Sequence, residues 1–174
     1  GEGELNMPWG ITTDQRGNIY IADWRNDRIQ KFDANGKSLA GWGTPGAEDG
    51  EFNRPSGVAV DLEDNLYIAD WGNERVQVLT SDWDLITSLR GNGGMSTWAN
   101  EFLDGNPHYK EQRVKAKKAS PRVMTYSSIK DEVAASEELF WGPTSVKVGQ
   151  DGRVYVVDSC RHRIQIYHGR DKTA

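Results

Sequence analysis

Residues 55–79 read PSGVAVDLEDNLYIADWGNERVQVL, and the same pattern occurs in residues 8–32 and again in residues 143–167. In each copy Pro is followed fifteen positions later by Asp, and five positions after that by Arg. A unit repeated in this way cannot cover its own apolar surface, so the pattern predicts a fold in which copies stack on one another. The repeated charged residues are Asp23, Asp70 and Asp158, with Arg28, Arg75 and Arg163.

Each copy contains short stretches with the composition of β-strands. The second stretch, Asn65 to Asp70 in the middle copy, is an almost continuous apolar run, which indicates burial on both faces. A first strand, Gly57 to Asp61 in the middle copy, precedes it. A third follows a four-residue turn, and the Asn35-Gly36 hairpin signal predicts a fourth in the first copy. Four antiparallel strands in each repeat predict an all-β fold built from the blades of a β-propeller.

The residues that carry this pattern resemble a known family. Pro-x-Gly-Ile/Val, Asn-Ile-Tyr-Ile-Ala-Asp and Arg-Ile-Gln, as they stand in residues 8–32, are similar to the NHL repeat, and the resemblance covers roughly residues 1–90 and 139–168. The sequence departs from the family pattern at Trp24 and Trp71, where the family usually has a small residue. The resemblance implies an NHL-type β-propeller of bacterial style, with three blades visible of an expected six.

The spacing of the copies divides the chain. The first two copies lie 47 residues apart and the last two lie 88 apart, so about 41 residues are inserted between them. We predict blades one and two in residues 1–90, a partly helical insertion in 91–141 on the connection between blades, and an incomplete third blade in 142–174. Within the insertion we expect one helix with Ser96 as its N-cap and a second over Tyr109 to Lys118.

Three blades are too few to form a closed ring. Residues 1–8 match the connection that leads into the second copy, residues 49–55, so the sequence predicts that the chain starts at a blade junction. We therefore expect the remaining blades to come from a longer chain, of which this is a fragment, or from a second copy.

Composition narrows the class of partner. The net charge of −5 lies on the blades, which have 14 basic and 19 acidic residues, whereas residues 91–141 carry seven of each. An acidic propeller is a poor general binder of nucleic acid. The mean hydropathy is −0.72, and no apolar run is long enough to predict membrane insertion of this segment. Cys160 is the single cysteine and predicts no internal disulfide.

Strand alternation predicts where a binding surface lies. The turn between strands two and three falls at the same end of a blade as the connection to the next blade, so the three turns and the insertion share one face. Loops on a rigid scaffold commonly carry function. Candidates for a binding face are Trp24, Arg25, Trp71 and Arg161 from the turns, and Lys110, Arg113, Lys115, Lys117, Lys118 and Arg122 from the insertion. The alternatives are that the indoles pack on neighbouring blades and that the basic residues form a solvated helix face.

The repeated Asp has a structural and a functional interpretation. An Asp that ends a strand can accept N–H bonds from the turn that follows, with the repeated Arg completing its pairing. The alternative is a metal or catalytic site built from the three carboxylates. We favour the structural interpretation, because a residue present in every blade serves the same local purpose in each.

Catalytic motifs are scarce. The resemblance implies that metal-dependent lyases with this type of propeller place their zinc-binding His residues around the channel, and His162 and His168 do not match such positions. The sequence also lacks a phosphate-binding loop, a nucleophile elbow and a Cys-x-x-Cys pair. We therefore expect a binding or scaffold module without cofactor or metal, engaging a protein or an extended ligand. The alternatives are a metal-dependent propeller lyase or lactonase, with a site partly in further blades, and an RNA-binding propeller.

Overall fold

The computed structural model describes residues 1–91, 97–119, 136 and 138–168, and in these residues the strands form three antiparallel sheets. The first sheet contains β1 Pro8–Thr13, β2 Ile19–Asp23, β3 Arg28–Phe32 and β4 Ser38–Trp42. The second contains β5 Pro55–Val60, β6 Leu66–Asp70, β7 Arg75–Leu79 and β8 Leu85–Leu89. The third contains β9 Pro143–Val148, β10 Val154–Asp158 and β11 Arg163–Tyr167. These sheets confirm the all-β prediction, and the number of six blades stays a prediction.

Short helices complete the described chain. A single 3-10 turn follows the second strand of each sheet, at Trp24–Asn26, Trp71–Asn73 and Ser159–Arg161. The insertion contains α1 Thr97–Gly105 and α2 Pro107–Ala119, separated at Asn106. Both helices were expected, whereas the predicted N-cap Ser96 lies outside the described residues. No helix in the described part of the chain is long and apolar enough to cross a membrane.

The register of the strands is the same in successive sheets. In the second sheet Ile68 lies opposite Val58 on one side and Gln77 on the other. In the first sheet Ile21 lies opposite Ile11 and Gln30, which are the corresponding residues. The equal spacing of corresponding residues within each copy therefore becomes equal strand pairing in space.

Adjacent blades contact each other most closely at their first strands. A Cβ atom on Gly10 would lie 2.7 Å from the Cα of Gly57, and a Cβ atom on Gly57 would lie 3.1 Å from the Cα of Ser145. A side chain at either position would push the blades apart. Farther out, the fully buried Phe52 and Phe140 pack among apolar residues of neighbouring blades. The three sheets therefore form one continuous stack.

The outer parts of the two blade junctions differ. Between the first two blades, Trp42 and Trp83 stack with ring centroids 4.0 Å apart and an interplanar angle of 15°. Leu89 occupies the place of Trp42 in the next junction, since it pairs with Val76 as Trp42 pairs with Ile29. An open cavity of about 800 Å³ remains there, lined by apolar side chains such as Leu89 and Tyr167 and by acidic ones such as Asp61 and Asp151.

Trp83 takes part in this stack although its backbone conformation is unfavourable. Its φ of 73° lies in the left-handed region, where a side chain costs about 1 kcal/mol or more. We expect Trp83→Ala to lower the free energy of unfolding by about 2 kcal/mol, since it loses the stack and keeps the strain. Trp83→Gly relieves the strain and should be the more stable of the two variants. Urea denaturation measures both, and a less stable Gly variant would contradict this explanation.

Candidate functional site

The three 3-10 turns lie at the end of the blades where the connections to the first strands pass. The backbone N–H of Arg25 donates to the carbonyl of Asn6 at 3.1 Å. Cys160 donates in the same way to Trp141 at 3.0 Å. We call this end, formed by residues 24–26, 71–73, 159–161 and the connections before β1, β5 and β9, the turn face.

Each repeated Asp joins its turn to the connection that enters the same blade. In the middle blade, Asp70 Oδ1 accepts the backbone N–H of Asn53 at 2.8 Å. Asp70 Oδ2 accepts Asn73 Nδ2 at 2.9 Å and Arg75 Nε at 2.8 Å. Asp23 and Asp158 are buried in equivalent networks.

One expectation about these carboxylates was wrong in detail. The backbone N–H that each accepts comes from the connection before the first strand, and the turn that follows contributes an Asn side chain in the first two blades. The reason is the pairing of Pro55 with Asp70, which brings the preceding connection alongside the carboxylate. Arg75 Nη2 and Gln77 Nε2 reinforce this clamp by donating to the carbonyl of Glu51 at 3.0 and 2.7 Å.

Burial and hydrogen bonding compete in setting the pKa values of these groups. Burial acts to raise the pKa of Asp23, but hydrogen bonds from Asn26, Asn6 and Arg28 outweigh it and the pKa lies below its usual value. Asp70 lies in the central blade with a blade on each side, and there burial outweighs similar donors and raises the pKa. The outer network therefore favours the ionised carboxylate more than the central one does.

The lowered pKa of Asp23 predicts a pH-dependent contribution to stability. A carboxyl whose pKa is lower in the folded state stabilises the fold above its unfolded pKa, near 3.8, and this contribution is lost as the pH falls through the folded value. The stability difference between the wild type and Asp23→Asn should therefore be larger at pH 7 than at pH 3. Urea denaturation at both values tests this, and an equal difference would contradict the assigned ionisation.

The turn face also carries a cluster of tryptophans. The ring centroids of Trp9 and Trp24 lie 5.5 Å apart, and those of Trp24 and Trp71 lie 6.4 Å apart. A Cβ atom on Gly142 would lie 3.4 Å from Trp71 Nε1, so the backbone that follows Trp141 adjoins Trp71. Trp9 is 57% exposed and Trp141 is 36% exposed. We call Trp9, Trp24, Trp71 and Trp141 the aromatic arc.

Arginine side chains lie against two members of the arc. The guanidinium of Arg54 is 4.8 Å from the ring centroid of Trp24, and that of Arg161 is 5.2 Å from the centroid of Trp141. Cation–π contacts of this kind hold a guanidinium in a defined place on an aromatic surface. The arc therefore presents apolar rings and positive charge together.

The structure brings the predicted turn residues together on this face. Trp24 and Trp71 contact each other across the blade junction and remain half-buried, so each has both a packing contact and exposed surface. Arg25 is exposed on the first turn, and Arg161 also donates to the carbonyl of Ser136 at the base of the insertion. Their role in binding stays a prediction.

The basic residues of the insertion make contacts within its helices. Lys110 Nζ lies 2.5 Å from Asp104 Oδ1, and Lys115 Nζ lies 3.7 Å from Glu111 Oε2. Arg113 is half-buried, Lys117 and Lys118 belong to α2, and Arg122 lies outside the described residues.

The insertion leaves and rejoins the blades at one place on the turn face. The N–H of Phe140 donates to the carbonyl of Arg90 at 2.8 Å, so the two ends adjoin. Because Arg161 contacts Ser136 near the end of the insertion, the insertion rejoins the blades beside the third turn.

Sequence reasoning missed three residues of the turn face: Trp9, Arg54 and Trp141. Each lies within two positions of the Pro that begins a first strand, on a segment that the strand-direction argument already placed at this end. A comparison of the three copies could have singled out Trp9 as a candidate. Trp9 corresponds to Ser56 and Thr144, so the repeat itself does not call for an indole there.

Other chemistry is sparse in the described part of the chain. Residues 1–91, 97–119 and 138–168 contain no group of three or more His, Cys, Asp or Glu side chains arranged to hold a metal ion. His162 and His168 are exposed, and the free thiol of Cys160 is exposed on the third turn.

Comparison with known proteins identifies the repeated unit. The family model of the NHL repeat matches residues 5–32, 52–79 and 140–167, which contain the strands, turns and Asp networks described above. The chain carries three NHL repeats. This match confirms the resemblance and extends each repeat back to the buried Phe52 or Phe140, or to Leu5.

Two curated relatives match this chain over short segments. Protein lin-41 of Caenorhabditis elegans is 50% identical over 40 residues, which are 23% of this chain and 4% of that protein. The E3 ubiquitin-protein ligase TRIM71 of Rattus norvegicus is 53% identical over 32 residues, which are 18% of this chain and 4% of that protein. The chain therefore matches only a small part of the length of these relatives.

A solved structure shows the fold formed by the repeats. A chain in the crystal structure of a nidogen/laminin complex superposes with a TM-score of 0.51 at 18% identity, covering 94% of this chain and 44% of that chain. At this identity the similarity concerns the fold alone. Together with the repeat matches, it identifies the three sheets as blades of a β-propeller.

Proposed function

We propose that this chain is a binding or scaffold module that holds a protein or an extended ligand against its turn face. The observation that carries the proposal is the aromatic arc with Arg54 and Arg161 stacked on it. Trp and Arg are the residues that most often dominate the energy of an interface, because they offer a large apolar surface together with directed hydrogen bonds.

The repeats help to separate scaffold from binding surface. Asp, Arg and Gln recur in all three blades and hold each turn to its connection. Trp24 and Trp71 correspond to each other and to Ser159, but Trp141 corresponds to Asn6 and Asn53, and Arg54 beside the arc corresponds to Met7. Since a blade folds with a small or unlike residue at these positions, the fold does not require Trp141 or Arg54.

The basic residues of the insertion are proposed to assist association. Lys110 and Lys115 are exposed on α2, and the insertion rejoins the blades beside the third turn. Charges at the rim of a binding surface mainly accelerate the encounter with a partner of opposite charge, whereas buried anchors hold the complex.

We also propose that further blades, from a longer chain or a second copy, cover the outer sheet faces. Ile11 and Ile164 are 68% and 62% exposed on the outer blades. The corresponding Val58 and Val76, in the middle blade, are buried at 4% and 0% exposure. Apolar sheet faces of this kind are ordinarily covered by a neighbouring repeat.

Site-specific photo-crosslinking tests the proposed binding face. A photoreactive amino acid at position 25, exposed on the first turn, should capture a partner from extracts of the source cells. The same group at position 37, exposed in the hairpin at the opposite end of that blade, serves as the matched control. Capture from position 37 alone, or equal capture from both, would contradict binding at the turn face.

A further inference from the structure

Arg54 is held in place from two directions. Its backbone N–H donates to Asp27 Oδ1 at 2.6 Å, and its guanidinium lies 4.8 Å from the ring centroid of Trp24 in the preceding blade. The side chain is exposed, so the charge remains accessible beside the arc. A guanidinium fixed on an aromatic ring is already oriented when a ligand arrives and loses less freedom on binding.

Carboxylates near these arginines are already engaged by the protein. Asp27 accepts the backbone N–H of Arg54, and the buried Glu74 accepts the N–H of Gly142. Asp70 is buried and bonded to Arg75 and Asn73. The aromatic arc therefore has positive charges at its border and internally bonded acidic groups around it.

We infer that the turn face takes an extended peptide with spaced carboxylates, whose apolar residues lie on the arc and whose acidic side chains reach Arg54 and Arg161. This inference rests on the proposed binding function and specifies its ligand. Carboxylates are the natural partners of guanidinium groups, which can donate two parallel hydrogen bonds to one acid. The contacts of 5.5 and 6.4 Å along the arc correspond to about three residues of an extended chain, at about 3.3 Å each.

Two observations favour a peptide over single-stranded nucleic acid. The arc rings contact one another at tilts of 59° and 46°, and Arg54 already lies over Trp24. The rings therefore do not offer successive bases the separate stacking surfaces that aromatic side chains provide in proteins that bind single-stranded nucleic acid. The blades also carry 19 acidic and 14 basic residues, which repel a chain with a phosphate at every unit. A peptide with only two spaced carboxylates avoids most of that repulsion.

Synthetic peptides of defined charge test the inference. The probes are eleven-residue peptides with a central Leu and two Glu residues placed two to six positions apart, and identical peptides with Gln in place of Glu. Tryptophan fluorescence reports binding at the arc. We expect at least one Glu peptide to bind, its Gln counterpart to bind at least ten-fold more weakly, and a single-stranded oligouridine of similar length to bind more weakly still.

Variants locate the recognition at Arg54. Arg54→Gln should weaken binding of the Glu peptide at least ten-fold, and Arg54→Lys should weaken it less because the charge remains. Lys37→Gln, in the hairpin at the opposite end of the first blade, is the control and should leave binding unchanged. Circular dichroism verifies that each variant is folded.

The outcomes separate this inference from the proposed function. Crosslinking from position 25 together with no preference for Glu peptides would overturn acidic recognition and leave the turn face as the binding site. Tighter binding of the oligouridine than of the Glu peptides would indicate that the turn face binds nucleic acid and not an acidic peptide. Absence of crosslinking from position 25 and of peptide binding up to millimolar concentration would overturn both proposals.

Discussion

Replacing Asp70 with Ala is expected to lower the free energy of unfolding by about 3 kcal/mol. The substitution leaves Arg75, which is 8% exposed, without its carboxylate and removes the acceptor for the N–H of Asn53. Stranding buried hydrogen-bond partners costs about 1–3 kcal/mol, and removing one member of a buried ion pair costs about 3–5 kcal/mol. Urea denaturation of the wild type and the variant measures the loss.

Asp151 provides the matched control for this prediction. It pairs with Arg153 in an exposed turn at the opposite end of the third blade. Because surface ion pairs contribute about 0–1 kcal/mol, Asp151→Ala should change stability little. The folded fraction of Asp70→Ala should still bind partners. Wild-type stability together with lost binding would instead make Asp70 part of a binding site.

The positions of the strands were predictable because the repeat marks them three times. Gly57 to Asp61 was predicted as the first strand of the middle blade, and the strand is Pro55–Val60. The difference arises because Pro can begin a strand, where its missing N–H removes no bond from the ladder. The second strand, expected from Asn65 to Asp70, begins one residue later at Leu66.

The contacts of the turn face were less predictable because they join distant residues. Arg54 lies over Trp24, thirty positions earlier in the chain, and no local period connects the two. The N–H donor to Asp70 is seventeen positions upstream, whereas local turn chemistry pointed to the residues that follow. Strand direction did place the turns and the connections at the same end of the blades, since that placement depends only on alternation. The individual contacts depend on how the blades stack.

The insertion likewise has local features that could be predicted from the sequence and long-range contacts that could not. Local sequence predicted both helices and the interruption between them, because helix signals act within a few residues. The meeting of its two ends at Arg90 and Phe140 was not predicted, since it depends on the buried position of Phe140 between blades. The helices are therefore an addition to a junction where Phe140 packs between blades as Phe52 does in the other.

Replacing Trp71 with Ala is expected to weaken partner binding by about 2 kcal/mol, close to thirty-fold in the dissociation constant. Trp71 lies in the middle of the arc, between Trp24 on one side and Gly142 on the other. Central, partly desolvated indoles are the anchors whose truncation costs most at an interface. The measurement is binding kinetics with the partner captured from position 25, and most of the change should appear as faster dissociation.

Two further variants make this prediction specific. Trp71→Phe keeps a ring and should lose less affinity than Trp71→Ala. Trp83→Phe removes an indole at the opposite end of the same blade while keeping a ring beside Trp42, and should bind as the wild type does. Equal affinity of Trp71→Ala and the wild type, with circular dichroism showing both folded, would place the partner away from the turn face. The central channel that a closed ring of blades would enclose would then be the next surface to test.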